Sequence, residues 1–312
     1  MKAANTLVSP HIFPHPLTSL RGVLRHNEPM SKHTTWRVGG PAEWFYEPED
    51  VDDLACFLGQ LPQDMPLFWL GLGSNLLVRD GGIRGVVILT SGLLNQLEWL
   101  DKCTLKAGSG VSCAKLARFS VQQGCGGIEF LAGIPGTLGG ALAMNAGAFG
   151  GETWTFVTQV ETMNHAGQLK QRLPQDYGIN YRHVKMPPGE WFISATFQLN
   201  SHMDEQNQHK IRELLAKRNQ TQPIGLPSCG SVFRNPPGDY AARLIDSLGW
   251  KGYRLGGACV SEKHANFIIN EQQATATDIE TLITNIQQSV KQATGIELIP
   301  EVRIVGEFIH FS

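Results

Sequence analysis

Apolar positions in this chain fall into two patterns. Leu67-Phe68-Trp69-Leu70, ended by Gly71, and Val86-Val87-Ile88-Leu89 are short unbroken runs of the length that suits a buried strand. Between Ser112 and Gln123 the spacing turns helical, with Leu116 and Phe119 on one face and Gly124 as the stop. Residues 161 to 197 read again as strands, with Trp191-Phe192-Ile193 near their end. Beyond His202 helical spacing dominates. Asp204 to Arg218 predicts an amphipathic helix with Ile211, Leu214 and Leu215 inward, and Asp239 to Leu248 a second. Thr277 and Glu280 stand at capping-box spacing and open a third. Its stripe is Ile279, Leu282, Ile283, Ile286 and Val290, closed by Gly295. Ile296 to Phe308 reads as a strand interrupted at Pro300. No fixed-period repeat or low-complexity tract is present.

These patterns divide the chain into three parts. Residues 1–30, broken by Pro10, Pro14 and Pro16, read as a loosely ordered leader. Residues 31–200 form a strand-rich region with glycine-rich turns, and residues 201–312 an α+β domain. With 312 residues, 42% of them hydrophobic, the chain can bury sizeable cores. Its formal charge of -2 argues against binding nucleic acid by bulk charge. No apolar stretch nears the roughly 20 residues of a membrane helix, and no signal-peptide core is evident. A cytoplasmic protein without membrane partners is expected. The six cysteines include no C-x-x-C pair and read as reduced, packed thiols.

Candidate chemistry concentrates in two glycine clusters. Gly71-Leu72-Gly73-Ser74-Asn75-Leu76-Leu77 follows a strand, and its glycines would let backbone N–H groups approach a ligand while Ser74 and Asn75 add side-chain bonds. It lacks the spacing of a Rossmann fingerprint and the lysine of a Walker loop, and a plain tight turn is the competing reading. The second cluster runs Gly133-Ile134-Pro135-Gly136-Thr137-Leu138-Gly139-Gly140-Ala141, followed by Met144-Asn145-Ala146-Gly147. Pro135 stiffens a turn, Thr137 is placed to cap a short helix facing an anion, and Gly139 and Gly140 permit close backbone contact. Two such clusters favour a pyrophosphate-bearing cofactor over two unrelated corners.

The two clusters together, the second extended back to Gly126-Gly127-Ile128-Glu129-Phe130-Leu131-Ala132, resemble those of UDP-N-acetylenolpyruvoylglucosamine reductases. The resemblance spans about Thr34 to Phe308. It implies an α+β protein, with an FAD-binding fold of the vanillyl-alcohol-oxidase type in two subdomains and a C-terminal α+β substrate domain. It implies FAD as cofactor, NADPH as hydride donor and UDP-N-acetylglucosamine enolpyruvate as substrate, in a monomer. FAD would lie against Gly71, Gly73, Ser74, Asn75, Leu76, Ile134, Pro135, Gly136, Thr137, Gly139, Gly140 and Asn145.

Three further motifs agree with that family. In Tyr181-Arg182, the resemblance places Arg182 near the flavin and the substrate carboxylate, a task that suits a planar guanidinium. Residue chemistry alone would equally allow a surface salt bridge, and Val184 stands where many relatives carry serine. In Ser228-Cys229-Gly230-Ser231-Val232-Phe233-Arg234-Asn235-Pro236, Ser231 becomes the proton donor, with Asn235 and Arg234 gripping the sugar nucleotide. A thiol nucleophile at Cys229 is the alternative, without a base beside it in sequence. In Pro300-Glu301-Val302-Arg303, Glu301 becomes the partner of Arg182 on the enol-carboxylate. Arg218, Lys263 and His264 are the diphosphate candidates, and His264 has no partner at metal-ligand spacing.

No tyrosine occurs in residues 183–230, so the chain resembles the shorter form of the family, which lacks a substrate-covering tyrosine loop. Two rivals remain at this stage. One is an FAD-dependent oxidase of the same fold; the other is a flavin-free nucleotide-sugar binding protein.

Overall fold

The computed structural model describes residue 13 and residues 17–201 and 205–309. Its elements, in chain order, begin with β1 (Val23–Pro29), β2 (Pro41–Glu47), α1 (Val51–Gly59), β3 (Leu67–Leu70), β4 (Leu76–Val78) and β5 (Ile83–Leu89). Then come β6 (Leu97–Trp99), β7 (Thr104–Gly108), α2 (Cys113–Gln122), α3 (Leu138–Met144), β8 (Gly147–Ala148) and β9 (Gly151–Glu152). β10 (Val157–Asn164), β11 (Leu169–Arg172), β12 (Gly178–Asn180), β13 (His183–Lys185) and β14 (Glu190–Gln198) complete the strand-rich part. The rest is α4 (Glu205–Thr221), α5 (Ala241–Ser247), β15 (Arg254–Leu255), β16 (Ala258–Val260), β17 (Ile268–Asn270), α6 (Ala276–Thr294) and β18 (Arg303–Val305).

Two sheets carry the strand-rich part. The first has the order β1-β2-β5-β3, with β5 parallel to both β2 and β3. The apolar run of β5 lies inside the sheet, between β2 and β3, and does not alternate because a strand flanked on both faces needs apolar residues throughout; the run of β3 forms the sheet's edge beside it. The second sheet has the order β11-β10-β14-β7-β6 and is antiparallel. It packs on α2 around Leu105, Leu116, Leu131, Leu142 and Phe197. The third unit wraps β15-β16-β17 around α6, whose stripe from Ile279 to Val290 is fully buried. Each such side chain contributes about 1.5–3 kcal/mol on leaving water.

Several expectations need adjustment. The end of the leader is ordered: Val23–Pro29 is an edge strand antiparallel to β2, while residues 1–12 and 14–16 lie outside the described residues. The capping box of α6 is Thr275 with Asp278, two residues before the pair expected. Thr277 and Glu280 are engaged elsewhere: the Thr277 hydroxyl donates to Asp80, and Glu280 pairs with Arg79 at 2.8 Å. The second C-terminal helix begins only at Ala241, because the Asn235 side-chain oxygen accepts the Ala241 N–H and holds the preceding loop off the helix. α4 lies beyond the boundary expected at residue 200, but its Ile211 and Leu215 pack into the core of the second sheet. Asp204, its expected start, lies outside the described residues.

Long-range strand pairing ties the last residues to the first sheet's region. β18 runs parallel to β4, so the strand after Glu301 lies beside the strand after the first glycine cluster. Trp36, fully buried, donates its indole N–H to the Ile268 carbonyl at 2.7 Å. These contacts set the C-terminal part against the region of the glycine loops, and a cleft is lined by residues of both.

Candidate active site

The cleft is a cavity of about 650 Å³. Both glycine clusters line it, and they face each other. A Cβ added to Gly71 would lie 2.5 Å from Thr137 Oγ1, and one on Gly136 3.5 Å from Ser74 Oγ. Gly73 holds φ +61, and its missing Cβ would fall 2.1 Å from the His33 carbonyl oxygen. Glycine is required there on both counts. Thr137 caps α3 as expected, accepting from the Gly140 N–H. Eleven of the twelve predicted cofactor residues line the cavity: Gly71, Gly73, Ser74, Asn75, Leu76, Ile134, Pro135, Gly136, Thr137, Gly139 and Gly140.

Asn145 is the exception. It is buried at the C-terminal end of α3, outside the cavity lining, in a left-handed conformation with φ 41. Its amide nitrogen donates to Glu152 and to the Asn180 carbonyl, and its oxygen accepts the Trp154 N–H. A side chain with these bonds is committed to the protein itself.

Arg182, Ser231 and Glu301 all line the cavity. Arg182 sits at the tip of the β12–β13 hairpin, where Asn180 pairs with His183 and two residues make the turn. Its φ of 54 is uncommon for a residue with a Cβ and marks a backbone held by its surroundings. Its guanidinium lies 5.4 Å from the Tyr181 ring centre. Arg182 Nε approaches Glu301 Oε1 at 3.4 Å, inside ion-pair reach but poorly aligned as a hydrogen bond, and Nε has no other partner. The Val184 side chain at the family's serine position is buried in the core of the second sheet.

Backbone pairing delivers Ser231 and Glu301. The Glu301 N–H donates to the Val232 carbonyl at 2.7 Å and the Arg234 N–H to the Ile299 carbonyl at 2.9 Å, with Phe233 bridging Pro300. Asn75 donates its side-chain amide to the Glu301 carbonyl at 3.0 Å. Burial pushes the Glu301 carboxyl above the ordinary carboxylate range, against the opposing pull of Arg182 and Arg234. Gly230 supplies φ +73, with nothing near its absent Cβ.

Cys229 is packed, and its thiol is pushed up to about 11 by burial, away from nucleophile chemistry. Its sulfur accepts the Leu76 N–H at 3.3 Å and pins the Ser231 loop to the first glycine cluster.

The diphosphate candidates separate. Arg218 lines the cavity, with burial lowering its affinity for its proton and Gln222 as its hydrogen-bond partner. Lys263 donates to the Asn219 carbonyl, and His264 lies edge-on to Phe267 with burial holding it below the ordinary histidine range. Neither lines the cavity, nor does Asn235, which serves α5. Among the described residues, no group of three or more His, Cys, Asp or Glu is placed to hold a metal.

Sequence reasoning missed Ser109, Arg303 and Phe267, all of which line the cavity. Ser109 sits between Gly108 and Gly110 at the end of a strand, a signal of close backbone approach that was available. Its buried hydroxyl has no partner in the protein. A buried hydroxyl without a bond is costly, so a ligand group belongs beside it. That orphan and the facing glycine loops fit a flavin dinucleotide with its pyrophosphate, and the Arg303 side chain also lines the cavity.

Comparison with known proteins agrees with this geometry. Residues 42–171 match the model of an FAD binding domain, and residues 222–305 match that of the UDP-N-acetylenolpyruvoylglucosamine reductase C-terminal domain. A reductase of that name from Alkalilimnicola ehrlichii is 57% identical over 92% of this chain and 96% of its own. The chain belongs to the UDP-N-acetylenolpyruvoylglucosamine reductase family. The Methylococcus capsulatus member is 55% identical over 92% of this chain and 94% of its own. The crystal structure of the family's Thermus caldophilus member superposes with a TM-score of 0.79 at 32% identity, covering 92% of this chain and 99% of that one. Membership makes the chain a flavin-dependent oxidoreductase, with an FAD-binding fold followed by the family's C-terminal domain. The rival readings, an oxidase of the same fold and a flavin-free binding protein, are set aside. Among the described residues no helix is long and apolar enough to cross a membrane.

Proposed function

We propose that the protein reduces UDP-N-acetylglucosamine enolpyruvate to UDP-N-acetylmuramate with NADPH, as a cytoplasmic monomer in peptidoglycan precursor synthesis. The observation that carries the reading is the convergence of Arg182, Ser231 and Glu301 on the cavity that holds both glycine loops. FAD held by those loops would take a hydride from NADPH and supply it to the terminal vinyl carbon of the enolpyruvyl ether.

The chain's own residues do the rest. Arg182 offers a fixed positive charge to the substrate carboxylate, where negative charge collects as the adjacent carbon becomes carbanionic. Glu301 faces Arg182, and burial raises its carboxyl toward the protonated form that would donate a hydrogen bond to the enol-carboxylate. Ser231 gives its hydroxyl proton to the carbanionic carbon. Its weak acidity is offset by placement, since Val232 beside it is bonded to Glu301 and Cys229 is bonded to the cofactor loop. Arg218 would meet the diphosphate of the sugar nucleotide. Lys263, His264, Asn235 and Arg234, the sugar-nucleotide contacts implied by the family's wording, lie outside the cavity lining and would have to reach the substrate beyond it.

The test is the flavin spectrum under anaerobic conditions. NADPH should bleach the yellow protein, and the enolpyruvyl sugar should restore the colour within turnover time. Bleaching without recovery would leave the flavoprotein intact and the substrate wrong.

A further inference from the structure

Asn145 draws three pieces of chain together. It ends α3 immediately after the second glycine cluster, and its conformation (φ 41, ψ 53) is one that asparagine tolerates better than most residues with a Cβ. Its oxygen accepts the Trp154 N–H at 3.3 Å. Its nitrogen donates to Glu152 Oε2 at 2.9 Å, within the β8–β9 hairpin, and to the Asn180 carbonyl at 3.2 Å. Asn180 is the last residue before the Tyr181–Arg182 turn. The amide is only 1% exposed, and it is tied on both its nitrogen and its oxygen.

The tip it holds needs holding. Arg182 has a left-handed backbone, and its Nε has no aligned partner. Its ion-pair contact with Glu301, at 3.4 Å, is loose. A two-residue turn with one strained position and a long side chain would otherwise sample several orientations, each costing reach to the cavity. The bond to the Asn180 carbonyl fixes where the turn begins.

We propose that Asn145 is a positioning residue for Arg182, clamping the hairpin so that the guanidinium faces Glu301 across the cavity, and is not a ligand of the flavin. The inference rests on the function proposed above for Arg182, but its test does not depend on that function. Glu301 is the reporter, because Arg182 and Arg234 are the two charges that act on it.

The experiment follows the Glu301 carboxyl by carbon NMR against pH in flavin-free protein, for the wild type, Arg182→Gln, Asn145→Gly and Asn145→Asp. Arg182→Gln sets the full effect of losing the guanidinium, an upward shift of the Glu301 titration. Asn145→Gly keeps the left-handed backbone and removes the clamp, and it should reproduce at least half of that shift. Asn145→Asp keeps the acceptor for Trp154 and turns a carboxylate toward the Asn180 carbonyl; it should shift Glu301 in the same direction and stands in if the glycine variant does not fold.

In the loaded enzyme, Asn145→Gly should keep its FAD content and its reduction by NADPH, while flavin reoxidation by the enolpyruvyl sugar slows about 10²-fold, the scale of an ångström's misplacement. An unshifted Glu301 titration in a folded Asn145 variant, or loss of FAD with Glu301 unchanged, would overturn the positioning role. If the wild type fails to turn over the sugar, the substrate reading falls while the titration still decides the clamp.

Discussion

Asn75 and Glu301, 226 positions apart in sequence, are joined by a single hydrogen bond from the Asn75 amide to the Glu301 carbonyl at 3.0 Å. Asn75 belongs to the first glycine loop, and Glu301 is one of the three residues expected to act on the substrate. The cofactor loop therefore helps to hold the carboxyl group in place. The parallel pairing of β18 with β4, from Arg303 and Leu76 onward, continues the same connection.

Ser231 stands at the other side of that connection, one residue before the Val232 carbonyl that takes the Glu301 N–H. Ser231→Ala removes a hydroxyl without disturbing that pairing. NADPH should bleach the variant's flavin at the wild-type rate, while recovery of colour with the enolpyruvyl sugar should slow by about 10²–10⁴-fold, the usual worth of a positioned acid. Stopped-flow absorbance separates the two half-reactions, and equal damage to both would remove Ser231 from the proton-donor role.

The glycine loop makes a sharper demand than its sequence alone conveys. Ala at Gly73 would meet the His33 carbonyl at 2.1 Å while holding φ +61. The left-handed backbone alone costs about 1–2 kcal/mol for a residue with a Cβ. The overlap adds displacement of the loop that lines the cavity. Gly249→Ala carries similar backbone strain (φ +74) with no atom within 4 Å of its Cβ, far along the chain. Titration of flavin-free protein with FAD should show affinity reduced roughly tenfold or more for Gly73→Ala, since about 1.4 kcal/mol is a factor of ten, and unchanged for Gly249→Ala. Equal losses would mean that the loop is not specifically a cofactor cradle.

What was legible in the sequence follows from where each residue's partners lie. The apolar runs of β3 and β5, the stripe of α6, the helix beginning at Ser112 and the cap Thr137 depend on local spacing, and they form as read. The glycine loops were readable because backbone approach excludes other residues there. Asn145 was misplaced because its neighbours in sequence line the cavity while its own side chain turns to Glu152 and Asn180. Ile211 and Leu215 gave the face of α4 but not its partner, since an apolar stripe does not name the core it enters. The α6 box slipped by two because Thr275 and Thr277 are both plausible caps, and only Asp80 on another segment decides between them.

That Asp80 contact carries its own prediction. The Asp80 carboxylate accepts the Ala276 and Thr277 N–H groups and the Thr277 hydroxyl, so a residue of the cofactor region caps the first turn of α6. Beside it, Arg79 pairs with Glu280 at 2.8 Å. Asp80→Ala leaves those N–H groups without their acceptor and should cost about 1 kcal/mol, with the range for lost caps running to about 2. Hydrogen exchange should show faster opening at Ala276 and Thr277, while amides of the second sheet keep their protection. Unchanged exchange at the two amides would show that water replaces Asp80 at no cost.

Glu301 gives the pH dependence. Burial raises its carboxyl above the ordinary glutamate value of 4.5, so the folded protein holds that proton more tightly than the unfolded chain does. The stability that Glu301 contributes is complete below the unfolded value and drains away as pH rises through the folded one. Glu301→Gln has nothing to ionise at that position and keeps a side chain of nearly the same shape. The melting temperature of the flavin-free variant relative to wild type should therefore climb, in the variant's favour, as pH rises from the unfolded glutamate value through the folded one. Its flavin, once loaded, should still be reduced by NADPH, but reoxidation by the enolpyruvyl sugar should slow by at least tenfold. If the difference between the two melting temperatures stays constant as pH rises above the unfolded glutamate value, the Arg182 and Arg234 charges fully offset the burial, and Glu301 carries no raised affinity for its proton.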